Sequence, residues 1–238
     1  PQNSASDESR VSSCGDFVPV LTMKLAIFDL DGVIVSTDEL HYAAWKTVMD
    51  DADLKFNDEM NDQIRGLSRD ASLHTLLRFN QATLADEVFD EKLEVKNQLY
   101  RDNLSTLSEK DILPGVLQLI TYLRREGVKL AIGSSSRNAE FILDQLKLTS
   151  AFDAIVTGND VTQGKPDPEV FQKSATALGV AVEECIVFED AQAGVDAARN
   201  AGMRVVGVGT ATLTGATLLV TDLRNIELSL LAECTDEH

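Results

Sequence analysis

Basic residues are scarce in this chain. Lys and Arg number 21 against 39 Asp and Glu, a formal net charge of −18 over 238 residues. A surface that acidic repels DNA, RNA and anionic lipid at long range. It would repel a phosphorylated metabolite too, so a site for one must carry local Lys, Arg or a metal ion. Aromatic residues are also few, at 5%, which argues against a base-stacking platform. The three cysteines, Cys14, Cys185 and Cys234, form no Cys-x-x-Cys pair. A disulfide framework is therefore not expected, and a reducing, cytoplasmic setting fits. No apolar run approaches the ~18 residues of a membrane helix, so no membrane association is expected.

What is present is ordinary for a globular protein: 44% hydrophobic and 25% charged residues. That argues against a disordered chain, a collagen or a coiled coil, and the length suffices for a core without staples. Residues 1–22 hold five serines and three acids with a single Arg. They lack the order of a secretory signal and the basic character of a transit peptide. They read as a flexible extension ahead of Met23, a candidate natural start.

Short apolar runs recur at Lys24–Phe28, Lys129–Gly133, Ala154–Val156, Cys185–Phe188 and Arg204–Gly207, the pattern of strands buried on both faces. Helical patterns separate most of them. Val116, Leu119, Ile120 and Leu123 share one helical face between Pro114 and Gly127, a start and a stop signal. This alternation predicts an α/β fold, a doubly wound parallel sheet with helices on both sides. From Asp38 to about Lys110 the alternation breaks. Only helical patterns appear: Leu40, Ala44 and Val48, then Leu73, Leu76 and Leu77 behind a Ser68 N-cap, then Val88, Leu93 and Lys96 onward. An all-helical block inserted after the first strand would sit above the C-terminal edge of the sheet, where open α/β folds bind ligands.

Four clusters could carry chemistry. Asp29 and Asp31 lie two residues apart at the mouth of the first strand, ahead of Gly32. They read either as a strand-ending turn or as paired carboxylates needing a cation or proton between them. Glu189 and Asp190 end another apolar run. Asp190 could cap the following helix, which leaves Glu189 unexplained; four such acids together suit Mg²⁺. Ser134-Ser135-Ser136-Arg137-Asn138 follows the second strand and precedes a helix, either as a capped serine loop or as a phosphate cradle. Lys165, between Gly164 and Pro166, is either a solvated loop lysine or one presented by a stiff loop. Gly158 to Lys165 fails as a P-loop and Gly207-Val208-Gly209 as a dinucleotide fingerprint.

Asp29-x-Asp31-Gly32-Val33, a loop hydroxyl after the second strand, Lys165-Pro166 and Glu189-Asp190, in that order, resemble the haloacid dehalogenase-like superfamily over roughly residues 23–238. Within it the chain is similar to the β-phosphoglucomutase family. The residues carrying that likeness are Thr37 to His41 with Trp45, Arg65 to Arg69 with Ser72, Lys96-Asn97 near Tyr100, Ser134 to Asn138, and Gly207 to Gly209. Two positions of the phosphate loop depart from the family's pattern, Ser135 for alanine and Arg137 for lysine, and Ser36 stands where aspartate is frequent.

The resemblance implies a core domain over 23–36 and 110–238 and a mobile helical cap over 37–109. It implies Asp29 as nucleophile, Asp31 as general acid and base, and Ser134 and Lys165 on the transferring phosphoryl group. Mg²⁺ would be held by Asp29, the Asp31 carbonyl, Glu189 and Asp190. Thr37, His41, Trp45, Gly66, Arg69, Ser72, Lys96, Ser135, Ser136, Arg137 and Asn138 would serve substrate binding and positioning. The implied reaction interconverts β-glucose 1-phosphate and glucose 6-phosphate through β-glucose 1,6-bisphosphate, in a monomer whose partner is a small sugar phosphate. A Mg²⁺-dependent phosphatase of sugar or polyol phosphates shares the same core residues, and a non-catalytic sugar-phosphate sensor is a third reading.

Overall fold

The computed structural model describes residues 23–210, 212–224 and 226. The expected extension over 1–22, Cys14 and Cys234 lie outside the described residues. The centre is a parallel sheet of β1 Leu25–Phe28, β2 Lys129–Gly133, β3 Ala154–Val156, β4 Cys185–Glu189, β5 Arg204–Val208 and β6 Leu218–Val220. The helices are α1 Asp38–Asp51, α2 Asp58–Asp62, α3 Arg69–Phe79, α4 Asp86–Leu104, α5 Val116–Arg125, α6 Ala139–Gln145, α7 Glu169–Leu178 and α8 Gln192–Asn200. The strands run in the order β3-β2-β1-β4-β5-β6. That is the doubly wound order, in which the chain reverses its direction of travel across the sheet beside β1.

Period-2 alternation splits the sheet residues between two cores. Ala26, Phe28, Leu130, Ile132, Ile186, Phe188 and Val206 pack on one face under Val116, Leu119 and Leu123 of α5 and Ile142 and Leu143 of α6. Leu25, Ile27, Ala131, Cys185, Val187 and Val205 pack on the other against Val170 and Phe171 of α7 and Val195 and Ala198 of α8. Apolar on both faces, these strands are buried as their sequence runs predict; Cys185 is a free, buried thiol. β6 is a correction: its Leu218-Leu219-Val220 run is as apolar as that of β3, yet the expected strands stop at Arg204–Gly207. It is a short edge strand with a single neighbour, and its Leu219 is 56% exposed.

Between β1 and β2 the first four helices follow one another without a strand, ahead of α5. They carry their own apolar cluster of Trp45, Val48, Met49, Phe56, Ile64, Leu73, Leu76, Leu77 and Leu93. Ser68 caps α3 by accepting the Ala71 N–H, as its position predicts, and Asn57 caps α2 through the Met60 N–H. The block is also seated on the sheet, because Ala44, Tyr100 and Leu104 belong to the α5-side core. Val88 departs from the expected pattern and is exposed. The buried stripe of α4 runs through Leu93, Lys96, Tyr100 and Leu104, and Val88, five residues before Leu93, falls off a 3.6-residue repeat.

The loop between β3 and α7 presents Lys165, and Glu169 holds it in shape. Its carboxylate accepts the Thr162 N–H, the Thr162 hydroxyl and the Gln163 N–H, and lies 2.7 Å from Lys173 Nζ. Lys173 first, then the Gln163 and Thr162 donors, pull the Glu169 carboxyl down to about 2. A depressed carboxyl stabilises the fold fully above its unfolded value near 4.5, and that contribution is lost as pH falls toward 2. E169Q should therefore lower Tm at neutral pH, with the gap to the unsubstituted protein closing as pH falls through this window. Thermal melts across pH check it, and a pH-independent gap would contradict the assignment.

Candidate active site

Register brings the acids together. Phe28 pairs with both Ile132 and Phe188, so the next residue of each strand, Asp29, Gly133 and Glu189, emerges at the same edge. Asp29 N–H donates to Phe188 O at 2.9 Å. Asp29, Glu189 and Asp190 each bring a carboxylate oxygen within 4.8 Å of the others, all buried. Close approach needs glycine twice. A Cβ at Gly32, which holds φ +85°, would lie 2.0 Å from Asp190 Oδ2, and one at Gly194 would lie 2.0 Å from the Glu189 carboxyl carbon.

Lys165 is 2% exposed, so it is no solvated loop lysine. Its Nζ donates to Asp29 Oδ1 at 2.6 Å and Glu189 Oε2 at 2.9 Å. Burial alone would lower its pKa, but Asp29 and Glu189 outweigh that and raise it above the usual lysine value. Glu189 Oε1 accepts the N–H groups of Asp190 and Ala191; burial still pushes its carboxyl up, against the pull of Lys165. Asp190 does not cap α8, whose N-cap is Ala191 without a side-chain bond. It pairs instead with Arg65, Nη2 to Oδ2 at 2.7 Å. Burial, then Asp29, raises the Asp190 carboxyl against that pairing.

Three clustered acids, Asp29, Glu189 and Asp190, thus meet Lys165 and an Arg65 that is shared with Asp38, while Asp31 stands nearby with its carboxyl raised. The excess negative charge, presented by hard oxygens, is compatible with a divalent ion such as Mg²⁺.

Above this cluster lies a cavity of about 350 Å³. Asp29, Asp31, His41, Trp45, Gly66, Arg69, Ser72, Lys96, Ser134, Ser135, Ser136, Arg137, Asn138 and Asp190 of the expected set line it. Lys165, Glu189 and Thr37 do not; all three are buried. Thr37 sits behind Asp31 and donates its hydroxyl to that carboxylate. Burial, then the charge of Asp29, pushes the Asp31 carboxyl up to about 7. Lys96 is 3% exposed, and burial pushes its ammonium down to about 7 against the pull of Asp31. Its Nζ lies 2.7 Å from Nδ1 of His41, whose imidazole burial and then Lys96 drive well below its usual value.

A further basic group shares the cavity. Arg69 donates to Leu93 O at 3.2 Å, and Arg137 meets Asp70 at 3.3 Å. Both guanidiniums line the cavity, and burial, then the charge of Arg137, lowers the Arg69 pKa. Ser134 Oγ accepts the Ser136 N–H and Ser136 Oγ the Asn138 N–H, shaping the serine loop. Ser135 Oγ donates to Gly66 O at 3.0 Å and Asn138 Nδ2 to Asn97 Oδ1 at 3.0 Å, so this loop touches the helical block directly.

Sequence reasoning did not single out Asp70, and it treated Asp38, Arg65, Asn97 and Tyr100 only as parts of motifs. A second arginine in the turn leading to Arg69 was the available signal for Arg65. Asp38 stood only within the Thr37–His41 motif, because its pairing depends on where Arg65 comes to rest.

Acids closing two neighbouring strands around a buried lysine, beneath a helical block, form a pattern whose family model matches residues 26–208: haloacid dehalogenase-like hydrolase. The chain belongs to that family, as an enzyme. A β-phosphoglucomutase of Bacillus subtilis is 41% identical over 221 residues, 91% of this chain and 97% of that protein. A fructose-1-phosphate phosphatase of Escherichia coli is 32% identical over 183 residues, 76% of this chain and 94% of its own. The crystal structure of a β-phosphoglucomutase from Clostridium difficile superposes with a TM-score of 0.83 at 33% identity, covering 89% of this chain and 96% of that one. Among the described residues no helix is long and apolar enough to cross a membrane.

Removing the Lys165 ammonium would leave Asp29 and Glu189 buried against each other. K165M should cost about 3–5 kcal/mol of stability, the usual penalty for breaking a buried pair. Urea denaturation in metal-free buffer measures it, and a variant as stable as the original would contradict the pairing.

Proposed function

We propose that this enzyme is a Mg²⁺-dependent β-phosphoglucomutase, converting β-glucose 1-phosphate to glucose 6-phosphate through β-glucose 1,6-bisphosphate. The observation that carries the reading is the double charge character of one cavity. Asp29, Asp31, Asp190 and Ser134 on its wall, with Lys165 buried behind Asp29, suit the phosphoryl group that moves, and Arg69 and Arg137 with the serine loop suit one that does not. A bisphosphate that must turn over and rebind needs a grip for each phosphate. The β-phosphoglucomutase likeness in sequence and fold supports the same reading.

In this mechanism a carboxylate oxygen of Asp29 attacks phosphorus as the bond from phosphorus to the sugar oxygen breaks, leaving an aspartyl phosphate. Asp31 gives its proton to the departing sugar oxygen, and later takes one from the hydroxyl that attacks the phosphoenzyme. A carboxyl brought to about 7 holds or releases a proton at neutral pH with equal ease. Thr37 fixes its direction. Lys165 and Ser134 hold the phosphoryl oxygens while charge shifts among them. Asp29, the Asp31 carbonyl, Glu189 and Asp190 would hold Mg²⁺, which when bound supplies the charge that lets a carboxylate approach a phosphate. Lys96 and His41 orient the sugar, and the helical block, acting as a cap, keeps water from the phosphoenzyme.

The phosphatase reading differs only in the acceptor, water in place of a sugar hydroxyl. The 32% identity to a fructose-1-phosphate phosphatase favours it as the second reading. Phosphorus NMR of β-glucose 1-phosphate with Mg²⁺ and a trace of the bisphosphate separates the two: glucose 6-phosphate supports the mutase, and free phosphate alone overturns it. D29N should show no turnover; full activity would remove Asp29 as nucleophile. R69A should raise KM about tenfold or more, as loss of a charged hydrogen bond does, with Mg²⁺ affinity little changed. Equal weakening of both would contradict its grip on the second phosphate.

A further inference from the structure

A second cavity, of about 330 Å³, adjoins the first. The residues common to both walls are Asp38, Arg65 and Asp190. They form one ionic group: Arg65 Nη2 lies 2.7 Å from Asp190 Oδ2 and 2.9 Å from Asp38 Oδ2. Its members come from three places. Arg65 stands on the turn between α2 and α3, Asp38 opens α1, and Asp190 follows β4. The group is therefore a partition between two chambers and a strap from helical block to sheet.

Asp190 has little freedom to serve two masters. Its Oδ2, the atom that Arg65 holds, packs against Gly32 so closely that a Cβ there would lie 2.0 Å away. The same carboxylate belongs to the acidic cluster suited to a divalent ion. Arg65 already supplies positive charge at that carboxylate, and a divalent ion drawing on it weakens its attraction for the guanidinium.

We propose that Arg65 is a positioning residue, an internal counter-cation that competes with the divalent ion for Asp190, so that metal loading and the strap oppose each other. The inference rests on the metal site of the proposed function. Coupling of this kind is reciprocal: what metal does to the strap, loss of the strap does to metal affinity. Without metal the strap closes the partition and ties the helical block down. With metal, Arg65 retains only the half-exposed Asp38, and one of the ties between the helical block and the sheet is loosened.

The test is calorimetric titration of Mg²⁺ into the metal-free full chain, without substrate. R65Q should bind Mg²⁺ about fivefold more tightly or better, the lower end of typical coupling between sites. R65K keeps the positive charge but not the fork of donors, so a smaller gain there, roughly twofold, reports the lost strap rather than lost charge. The single tryptophan, Trp45, lines the cavity wall; its emission should shift on Mg²⁺ addition to the unsubstituted protein, and metal-free R65Q should already show the shifted spectrum. R65Q binding no more tightly than the unsubstituted protein, or R65K at unchanged affinity, overturns the inference and leaves the metal site standing. No Mg²⁺ binding by the unsubstituted protein overturns both.

Discussion

The Lys165 ammonium, held between Asp29 and Glu189 with almost no exposure to solvent, is the contact around which the site is organised. Strand ends that place acids side by side would otherwise repel one another in a medium that screens poorly. One buried cation does not balance the cluster. Arg65 adds a second, from a different part of the chain. The remaining negative charge is compatible with a divalent ion, and burial first, with the charge of Asp29 added, raises the carboxyls of Asp31, Glu189 and Asp190.

Sheet topology makes the cluster possible. β1 lies between β2 and β4 in parallel register, so chain segments more than a hundred residues apart in sequence end at one edge. Asp29, Ser134 and Glu189 are the first residues beyond, or the last within, those strands. The helical block between β1 and β2 then closes over that edge through Arg65, Ser135–Gly66 and Asn97–Asn138 contacts. Its base shares the sheet's apolar core while its upper part has a core of its own, an arrangement that suits movement of one part over a fixed other.

Within the cavity, burial acts in opposite directions on groups of opposite charge. It raises the Asp31 carboxyl and lowers the Lys96 ammonium until both meet near 7. A carboxyl near 7 can hold or release a proton at neutral pH, which fits the acid–base role proposed for Asp31. His41, kept neutral by burial and by Lys96, accepts a hydrogen bond from that amine at its Nδ1 when the amine is charged.

Much of this was legible in order along the chain. Five of the six strands stand as apolar runs, because strands covered on both faces need apolar residues at every position. The Ser68 cap and the acids at the strand ends are local in sequence, as is the family motif that joins them. β6 went unmarked because three apolar residues, Leu218-Leu219-Val220, do not by themselves separate a short strand from a loop, and Val88 misled because a single apolar residue does not define a helical face. The tertiary structure alone decided what each charge meets. Whether Lys165 was solvated or buried, whether Asp190 capped a helix or held an arginine, and whether Thr37 faced substrate or Asp31 all turned on partners distant in sequence. Local sequence sets which groups the backbone offers at each strand end; burial and pairing, which arise only when distant segments pack, set their charge and therefore their chemistry.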